Sequence, residues 1–60
     1  MMRMLKFEIY PDRQRFWRWR LKARNGRIMA DSGEGYATKR NVRKAITKIQ
    51  LGAYRAVVVL

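Results

Sequence analysis

The fold of this 60-residue chain is decided by the stretch from Phe16 to Arg24, Phe-Trp-Arg-Trp-Arg-Leu-Lys-Ala-Arg. From Trp17 onward, apolar side chains alternate strictly with cations. Successive side chains of a β-strand point to opposite faces of the sheet, so this alternation predicts a strand with one buried and one solvated face. The solvated face carries a line of positive charge, which needs neighbouring acids or an external anion.

Similar alternation on both sides of this stretch predicts a three-stranded antiparallel meander. Leu5 to Tyr10 forms the first strand, and the polar segment 11–15 forms the loop that follows it. Asn25-Gly26 predicts a two-residue type I′ turn, because both residues tolerate a positive φ. The third strand is then expected over Arg27–Ser32.

A register for both hairpins follows from this arrangement. With Tyr10 opposite Phe16, the apolar residues of the first two strands share one face, and Glu8 lies against Arg18. The two-residue turn sets Asp31 against Arg20. The expected pairs are Ile9 with Trp17, Phe7 with Trp19, Leu5 with Leu21, Arg24 with Arg27, Ala23 with Ile28, and Leu21 with Ala30.

An amphipathic helix is predicted over residues 39–51, with Thr38 as its N-cap and Gly52 as its C′ residue. Its apolar stripe consists of Val42, Ala45, Ile46 and Ile49, and it is expected to lie on the apolar face of the sheet.

The last segment, from Tyr54 to Leu60, is an apolar β-branched run that predicts a strand. A chain this small has little with which to cover such a strand, and an exposed edge would promote aggregation. We therefore expect the segment to pair with a second copy of the protein. The predicted dimer interface consists of Tyr54, Ala56, Val57, Val58, Val59 and Leu60.

Composition bounds the possible functions. The 60 residues form one domain, 1–60, with 15 Lys and Arg against 4 Asp and Glu, a formal charge of +11. Such an excess attracts nucleic acid, anionic lipid or acidic protein. The absence of cysteine and histidine removes disulfides and the commonest metal ligands, so oligomerisation is the remaining way to stabilise so small a core. No apolar run is long enough for a membrane span or a secretory signal, so a soluble cytoplasmic protein is expected.

The sequence resembles the YegP-like family of small uncharacterised proteins (domain of unknown function 1508, UPF0339). The resemblance rests on Phe7-Glu8-Ile9-Tyr10-x-Asp12, on residues 17–23, on Asn25-Gly26, and on 30–39. It implies a β3-α-β unit that occurs either in tandem or, for a single-repeat member such as this chain, as a homodimer with exchanged C-terminal strands. It leaves the function open, because the family has no established biochemical activity. The chain departs from the family in its basicity and at 13–15, where the family usually has a glycine.

The sequence has few residues in arrangements that could support catalysis. Ser32 has no His or Cys partner, and the glycines of 31–36 lack the spacing of phosphate-binding loops, so they are interpreted as turn residues. Trp17 and Trp19 are interpreted as core residues rather than base-stacking platforms, whereas Tyr10, Phe16 and Tyr36 are the candidates for exposed aromatics. We expect no catalytic residues, no metal and no cofactor.

The basic surfaces carry the leading hypothesis, which is low-specificity nucleic-acid binding by a non-enzymatic homodimer. A protein-binding module remains the alternative, for instance a small inhibitor or adaptor, such as a defence inhibitor of a phage or mobile element, that docks an acidic protein surface. A membrane-surface role is disfavoured because no aromatic anchors the helix. Arg18 and Arg20 are expected to be answered by acids, and the predicted contact residues are Lys22, Arg24, Arg27, Lys39, Arg40, Arg43, Lys44 and Lys48.

Overall fold

A computed structural model describes residues 5–60 and confirms an α+β fold with three antiparallel strands and one helix. The sheet has the order β1-β2-β3, and a 3₁₀ turn follows the helix. The elements are β1 (Leu5–Pro11), β2 (Trp17–Ala23), β3 (Ile28–Asp31), α1 (Lys39–Gly52) and the 3₁₀ turn (Ala53–Arg55).

The core lies between one face of the sheet and α1. Among the described residues its buried apolar members are Trp19, Val42 and Ile46. The Trp19 ring meets Phe7 edge-on, with ring centroids 5.5 Å apart, an arrangement that aromatic pairs favour. The helix packs on β2 and β1 and makes no contact with β3 within the described part of the chain. The predicted apolar face of the sheet and the apolar stripe of the helix are therefore confirmed. The core that they form is small.

The register of the first hairpin is shifted by two residues from the predicted one. Ile9 lies opposite Trp19 rather than Trp17, and Glu8 lies opposite Arg20 rather than Arg18. Phe7 likewise pairs with Leu21, Leu5 with Ala23, and Tyr10 with Arg18. A shift of two residues leaves every side chain on its predicted face, because the strand repeat is two.

The cause of this shift is Asp12, which closes a shorter loop than the sequence predicted. Its backbone N–H donates to the Phe16 carbonyl at 2.8 Å. Its Oδ1 accepts from the backbone N–H groups of Gln14 and Phe16 at 2.8 and 3.0 Å. Aspartate favours such local turns, and Pro11 consequently becomes the last residue of β1.

Arg15 in this loop has φ +69°, the left-handed region that favours glycine. We expect Arg15→Gly to raise the free energy of unfolding by about 0.5–1 kcal/mol. An L side chain in this region costs roughly 1–2 kcal/mol, and the greater conformational entropy of glycine in the unfolded chain offsets part of the gain from removing it. Chemical denaturation measures the change. The matched control is Gln14→Gly, which should not stabilise; a stabilisation equal to that of Arg15→Gly would contradict the explanation.

The second hairpin has a three-residue loop, Arg24 to Gly26, in place of the predicted two-residue turn. Ala23 N–H donates to the Arg27 carbonyl at 2.8 Å, and Gly26 adopts φ +88°. The Asn25 side chain accepts from the Arg27 N–H at 3.1 Å, which favours this geometry over a type I′ turn. The predicted pairing of Arg24 with Arg27 is thus wrong.

Beyond this loop, the pairs Arg20–Asp31 and Leu21–Ala30 are confirmed. A bulge at Met29 then sets Ile28 opposite Lys22 instead of Ala23, so the predicted apolar pair is wrong. The strand β3 is shorter than predicted, and all four of its residues are exposed.

The segment before the helix is tied to β2 by backbone hydrogen bonds. Tyr36 and Trp17 exchange two of them at 2.7 and 2.8 Å. Ser32 is buried, and its Oγ accepts from the Trp19 N–H at 3.2 Å. Gly35 lies against Phe16, and a Cβ at residue 35 would overlap the Phe16 Cβ.

We expect Gly35→Ala to lower the free energy of unfolding by about 1–3 kcal/mol, the usual cost of forcing an extra carbon into an occupied space. Gly33→Ala is the matched control, because a Cβ there meets nothing within 4 Å. Thermal unfolding of both variants checks the prediction. Equal losses would show that the Phe16 contact is not the reason for a glycine at 35.

The helix begins as predicted and ends later. Thr38 is the N-cap, and its side chain accepts from the Asn41 N–H at 3.1 Å. Gly52 is not a C′ residue: it lies in the last helical turn with φ −119°, and the Ala53 N–H still donates to the Ile49 carbonyl. The chain then enters the 3₁₀ turn, because nothing stops it at Gly52.

The predicted strand 54–60 is wrong at its start, since Tyr54 and Arg55 belong to the 3₁₀ turn. Residues 56–60, which we call the tail, pair with no strand among residues 5–60. Every tail residue is exposed. Pairing of the tail with a second copy stays a prediction.

Candidate functional site

The outer face of the sheet holds its cations in an internal ion-pair network. We call this the open face; it carries Lys6, Glu8, Tyr10, Arg18, Arg20 and Lys22. Arg18 Nε lies 2.7 Å from Asp12 Oδ2, and Arg20 Nε lies 2.7 Å from Glu8 Oε1. Glu8 also pairs with Lys6 and Lys22, at 3.7 and 3.8 Å.

Three sequence expectations are corrected here. Arg18 pairs with Asp12 rather than Glu8, and Arg20 pairs with Glu8 rather than Asp31. Lys22, which was expected to be free, has Glu8 beside it. The two-residue register shift causes all three differences, because it moves Glu8 from Arg18 to Arg20 and Lys22.

These pairs shift the acidity of the groups involved. The hydrogen bond from Arg20 is the main cause that lowers the pKa of Glu8, with the charges of Lys22 and Lys6 adding to it. The Asp12 pKa is lowered chiefly by the hydrogen bond from Arg18, and then by the N–H groups of Phe16 and Gln14. Asp12 in turn raises the pKa of Arg18.

Because both carboxyl pKa values are lowered in the folded state, the unfolded chain binds more protons, and the protein becomes less stable as the pH is lowered. This contribution is present above about pH 5 and is lost as the pH falls through and below the unfolded values of about 3.9 and 4.3. We expect Asp12→Asn and Glu8→Gln to lower Tm at pH 7 and to approach the parent near pH 2. Glu34→Gln, at a carboxylate with no ion pair among the described residues, should change Tm little at pH 7.

Five cations on the solvent side of α1 have no such partners. We call them the helix face: Lys39, Arg40, Arg43, Lys44 and Lys48. They line one shallow groove of about 610 Å³, together with Thr47. Within residues 5–60, none of the five lies within 4 Å of a carboxylate. Thr47 was not predicted from the sequence, although its place four residues after Arg43 could have indicated it.

The spacing of the helix face follows from helix geometry. Arg40, Lys44 and Lys48 recur every four residues, so their backbone positions lie about 6 Å apart along the axis. Lys39 differs from them, because its Nζ lies 4.9 Å above the Trp17 ring centroid and is partly occupied there.

The remaining predicted contact residues do not join this groove. Arg24 and Arg27 flank the tip of the second hairpin, where both are exposed and without an ion pair in the described chain. The structure thus gathers five of the eight predicted residues on α1, sets two at the hairpin tip, and assigns Lys22 to the open face.

The aromatic side chains fall mainly into structural positions. Trp19 is buried and Trp17 half-buried against the core, which confirms the core interpretation. Tyr10 is half-buried with the Arg20 guanidinium 4.7 Å from its ring centroid, and Tyr36 packs against the core, so neither is the exposed aromatic that was expected. Phe16 is exposed as predicted.

The described residues include no arrangement typical of a metal site or a membrane span. No group of three or more Asp or Glu side chains is placed to hold a metal ion there. Ser32 serves the backbone of β2 through its Oγ. No helix in that part of the chain is both long and apolar enough to cross a bilayer.

Comparison with known proteins gives consistent matches. Residues 12–59 match the family described as "Domain of unknown function (DUF1508)". A UPF0339 protein of Neisseria meningitidis serogroup B is 52% identical over 40 residues, covering 67% of this chain and 70% of that protein. A UPF0339 protein of Treponema denticola is 43% identical over 54 residues, covering 90% and 91%.

The fold is also that of a protein from Haloferax volcanii whose solution structure was determined by NMR. The two superpose with a TM-score of 0.89 at 41% identity, over 98% of each chain. These matches agree with the resemblance seen in the sequence, which runs from about residue 7 to 49. The chain belongs to the DUF1508 family of YegP-like UPF0339 proteins.

Proposed function

We propose that this protein is a non-enzymatic, cytoplasmic homodimer that binds nucleic acid through phosphate contacts made by the helix face. The observation that carries the proposal is the unequal pairing of its charges. Glu8 and Asp12 form ion pairs with the cations of the open face, whereas no carboxylate among residues 5–60 forms an ion pair with the helix face. Five of the ten Lys and Arg side chains that lack an ion pair among residues 5–60 therefore lie together on one side of one helix.

The position of these cations in the helix supports a role outside the fold. The first turn of α1 contains no acidic residue, and Lys39 and Arg40 lie there. Cations near a helix N-terminus interact unfavourably with its dipole, by about 0.3–1 kcal/mol each. Their stabilising partner is then most simply an external anion.

The form of the surface favours phosphate contact over base recognition. The groove is shallow and is lined by Lys, Arg and Thr side chains, with no aromatic on which a base could stack. Phosphate contacts give affinity with little sequence choice. On duplex DNA, log K should fall by about 0.9 per log unit of salt for each phosphate neutralised.

A homodimer would strengthen such binding by presenting the helix face twice. The small core and the exposed apolar tail support association with a second copy, since domains of this size usually need an additional source of stability. Two weak phosphate-binding surfaces on one particle gain affinity through effective concentration.

The variant Arg40→Ala, Arg43→Ala and Lys44→Ala tests the proposal. We expect its affinity for a mixed-sequence DNA duplex or single-stranded RNA at low salt to fall at least tenfold, with a shallower salt slope. Its Tm should stay close to that of the parent, because exposed substitutions away from structural contacts usually change stability by less than about 0.5 kcal/mol. Fluorescence anisotropy measures the first quantity and thermal unfolding the second.

The matched control removes the same charge elsewhere, as Arg13→Ala, Arg24→Ala and Arg27→Ala. We expect this variant to lose markedly less affinity than the helix variant. Equal losses would show that net charge, not the helix face, controls binding. No binding by the parent at low salt would exclude the proposal, and a partner that survives nuclease treatment of an extract and is lost with the helix variant would favour an acidic protein surface instead.

A further inference from the structure

We infer that the exposed ring of Phe16 is a stacking platform for an unpaired base, so that the protein selects single-stranded nucleic acid over duplex. The inference rests on the proposed function and names the class of nucleic acid that the helix face binds. It is carried by an exposed aromatic ring that is held in place beside the first cations of that face.

Phe16 differs from the other aromatic residues in being both exposed and free of a cation. Among residues 5–60 the exposed aromatic side chains are Phe16 and Tyr54, at 43% and 81%. The Arg55 guanidinium lies over the Tyr54 ring, 5.6 Å from its centroid. In the described chain no cation lies over the Phe16 ring. Phe16 therefore has exposed ring surface that is open to a planar ligand.

The position of the Phe16 ring is fixed by its own loop and by the segment before α1. The Phe16 N–H donates to Asp12 Oδ1 at 3.0 Å, and the Phe16 carbonyl accepts from the Asp12 N–H at 2.8 Å. Gly35 lies against the Cβ, Cγ and Cδ2 atoms of the side chain. A ring that is already fixed loses little conformational entropy when a base stacks on it.

The ring lies where the helix face begins. Trp17, the next residue along the chain, has the Lys39 Nζ 4.9 Å from its ring centroid. Gly35, which contacts Phe16, precedes Lys39 by four residues. Lys39 and Arg40 are exposed in the first turn of α1. A strand whose phosphates contact these cations can therefore place a base at Phe16.

Arg15 supplies a further cation directly before the ring. It is exposed, and it has no ion pair among residues 5–60. Its φ of +69° is the conformation that favours glycine, and residues held in such conformations cluster at binding sites. An arginine at this position can contact phosphate, which glycine cannot.

A platform of this kind requires an unpaired base. In a duplex the faces of each base are covered by its neighbours, whereas unpaired bases can be splayed out onto aromatic side chains. Stacking also tolerates every base, because each has a π-face, and so agrees with low sequence specificity. The helix-face groove has no aromatic of its own, and Phe16 lies outside it.

The variant Phe16→Leu tests the inference, because leucine keeps the apolar bulk and removes the ring. We expect the parent to bind a short oligonucleotide without self-complementarity more tightly than the duplex of the same sequence. Phe16→Leu should weaken single-strand binding at least about fivefold and duplex binding less than about twofold, since stacking contributes to single-strand affinity alone. Phe16→Trp should restore the parent ratio of the two affinities. Fluorescence anisotropy measures both.

The matched control is Tyr54→Leu, which removes the other exposed ring. We expect it to leave the ratio of single-strand to duplex affinity unchanged, even if it alters association between copies, because such a change acts on both affinities. A change of that ratio equal to the change in Phe16→Leu would overturn the assignment to Phe16.

A photocrosslink locates the base directly. A single strand that carries iodouracil in place of thymine is irradiated in complex with the parent protein, and mass spectrometry identifies the attached residue. We expect attachment at Phe16. Attachment confined to other residues would contradict the platform.

The outcomes separate the platform from the proposed function. Equal losses of single-strand and duplex affinity in Phe16→Leu would show that Phe16 acts through the fold, and would refute the platform. A parent that binds duplex as tightly as single strand would refute it as well and would leave the helix face in place. A parent that binds neither, or a helix variant that binds like the parent, would refute the proposed function itself.

Discussion

The ion pairs that Glu8 and Asp12 make with the cations of β2 are the constraint on which the sheet depends. Strict alternation in β2 buries its tryptophans only by projecting Arg18, Arg20 and Lys22 together on the other side. Such a line of like charge would repel itself in a flat strand. Asp12 at the loop and Glu8 in the neighbouring strand are close enough to offset it, at 2.7 Å from their arginines. Asp12 also closes the loop, so one side chain sets both the register and the electrostatics of the first hairpin.

The predicted and observed registers show which parts of this fold a sequence can specify. The faces of the strands were predicted correctly, because an error of two residues does not change which side chains share a face. The pairs themselves were not, because they depend on how Asp12 and Asn25 satisfy backbone N–H groups in their loops. Hydrogen bonds of that kind follow local geometry rather than hydrophobic periodicity.

The candidate site was predictable to a similar extent. Helical spacing alone was enough to group the five cations of the helix face, and the structure gathers them along one groove. Lys22 was misassigned because its freedom depended on where Glu8 lies, and hence on the register of the hairpin. The end of α1 was missed because glycine can remain in the right-handed region, as Gly52 does with φ −119° and ψ −12°, as well as adopt left-handed angles. The late helix end carries Tyr54 into a 3₁₀ turn, where it lines an apolar groove between β1 and the C-terminal end of α1.

The division of charge between the two sides of the molecule connects its stability to its proposed function. With few acids in the chain, the fold uses Glu8 and Asp12 where repulsion would oppose the sheet. The cations of the helix face need no carboxylate partners, because they project from the helix into solvent, where screening reduces their mutual repulsion. Small counterions screen the charges of such a surface. A polyanion that binds there releases these counterions, and their release favours binding. The same arrangement that leaves the fold stable therefore leaves the helix, rather than the sheet, available for phosphate.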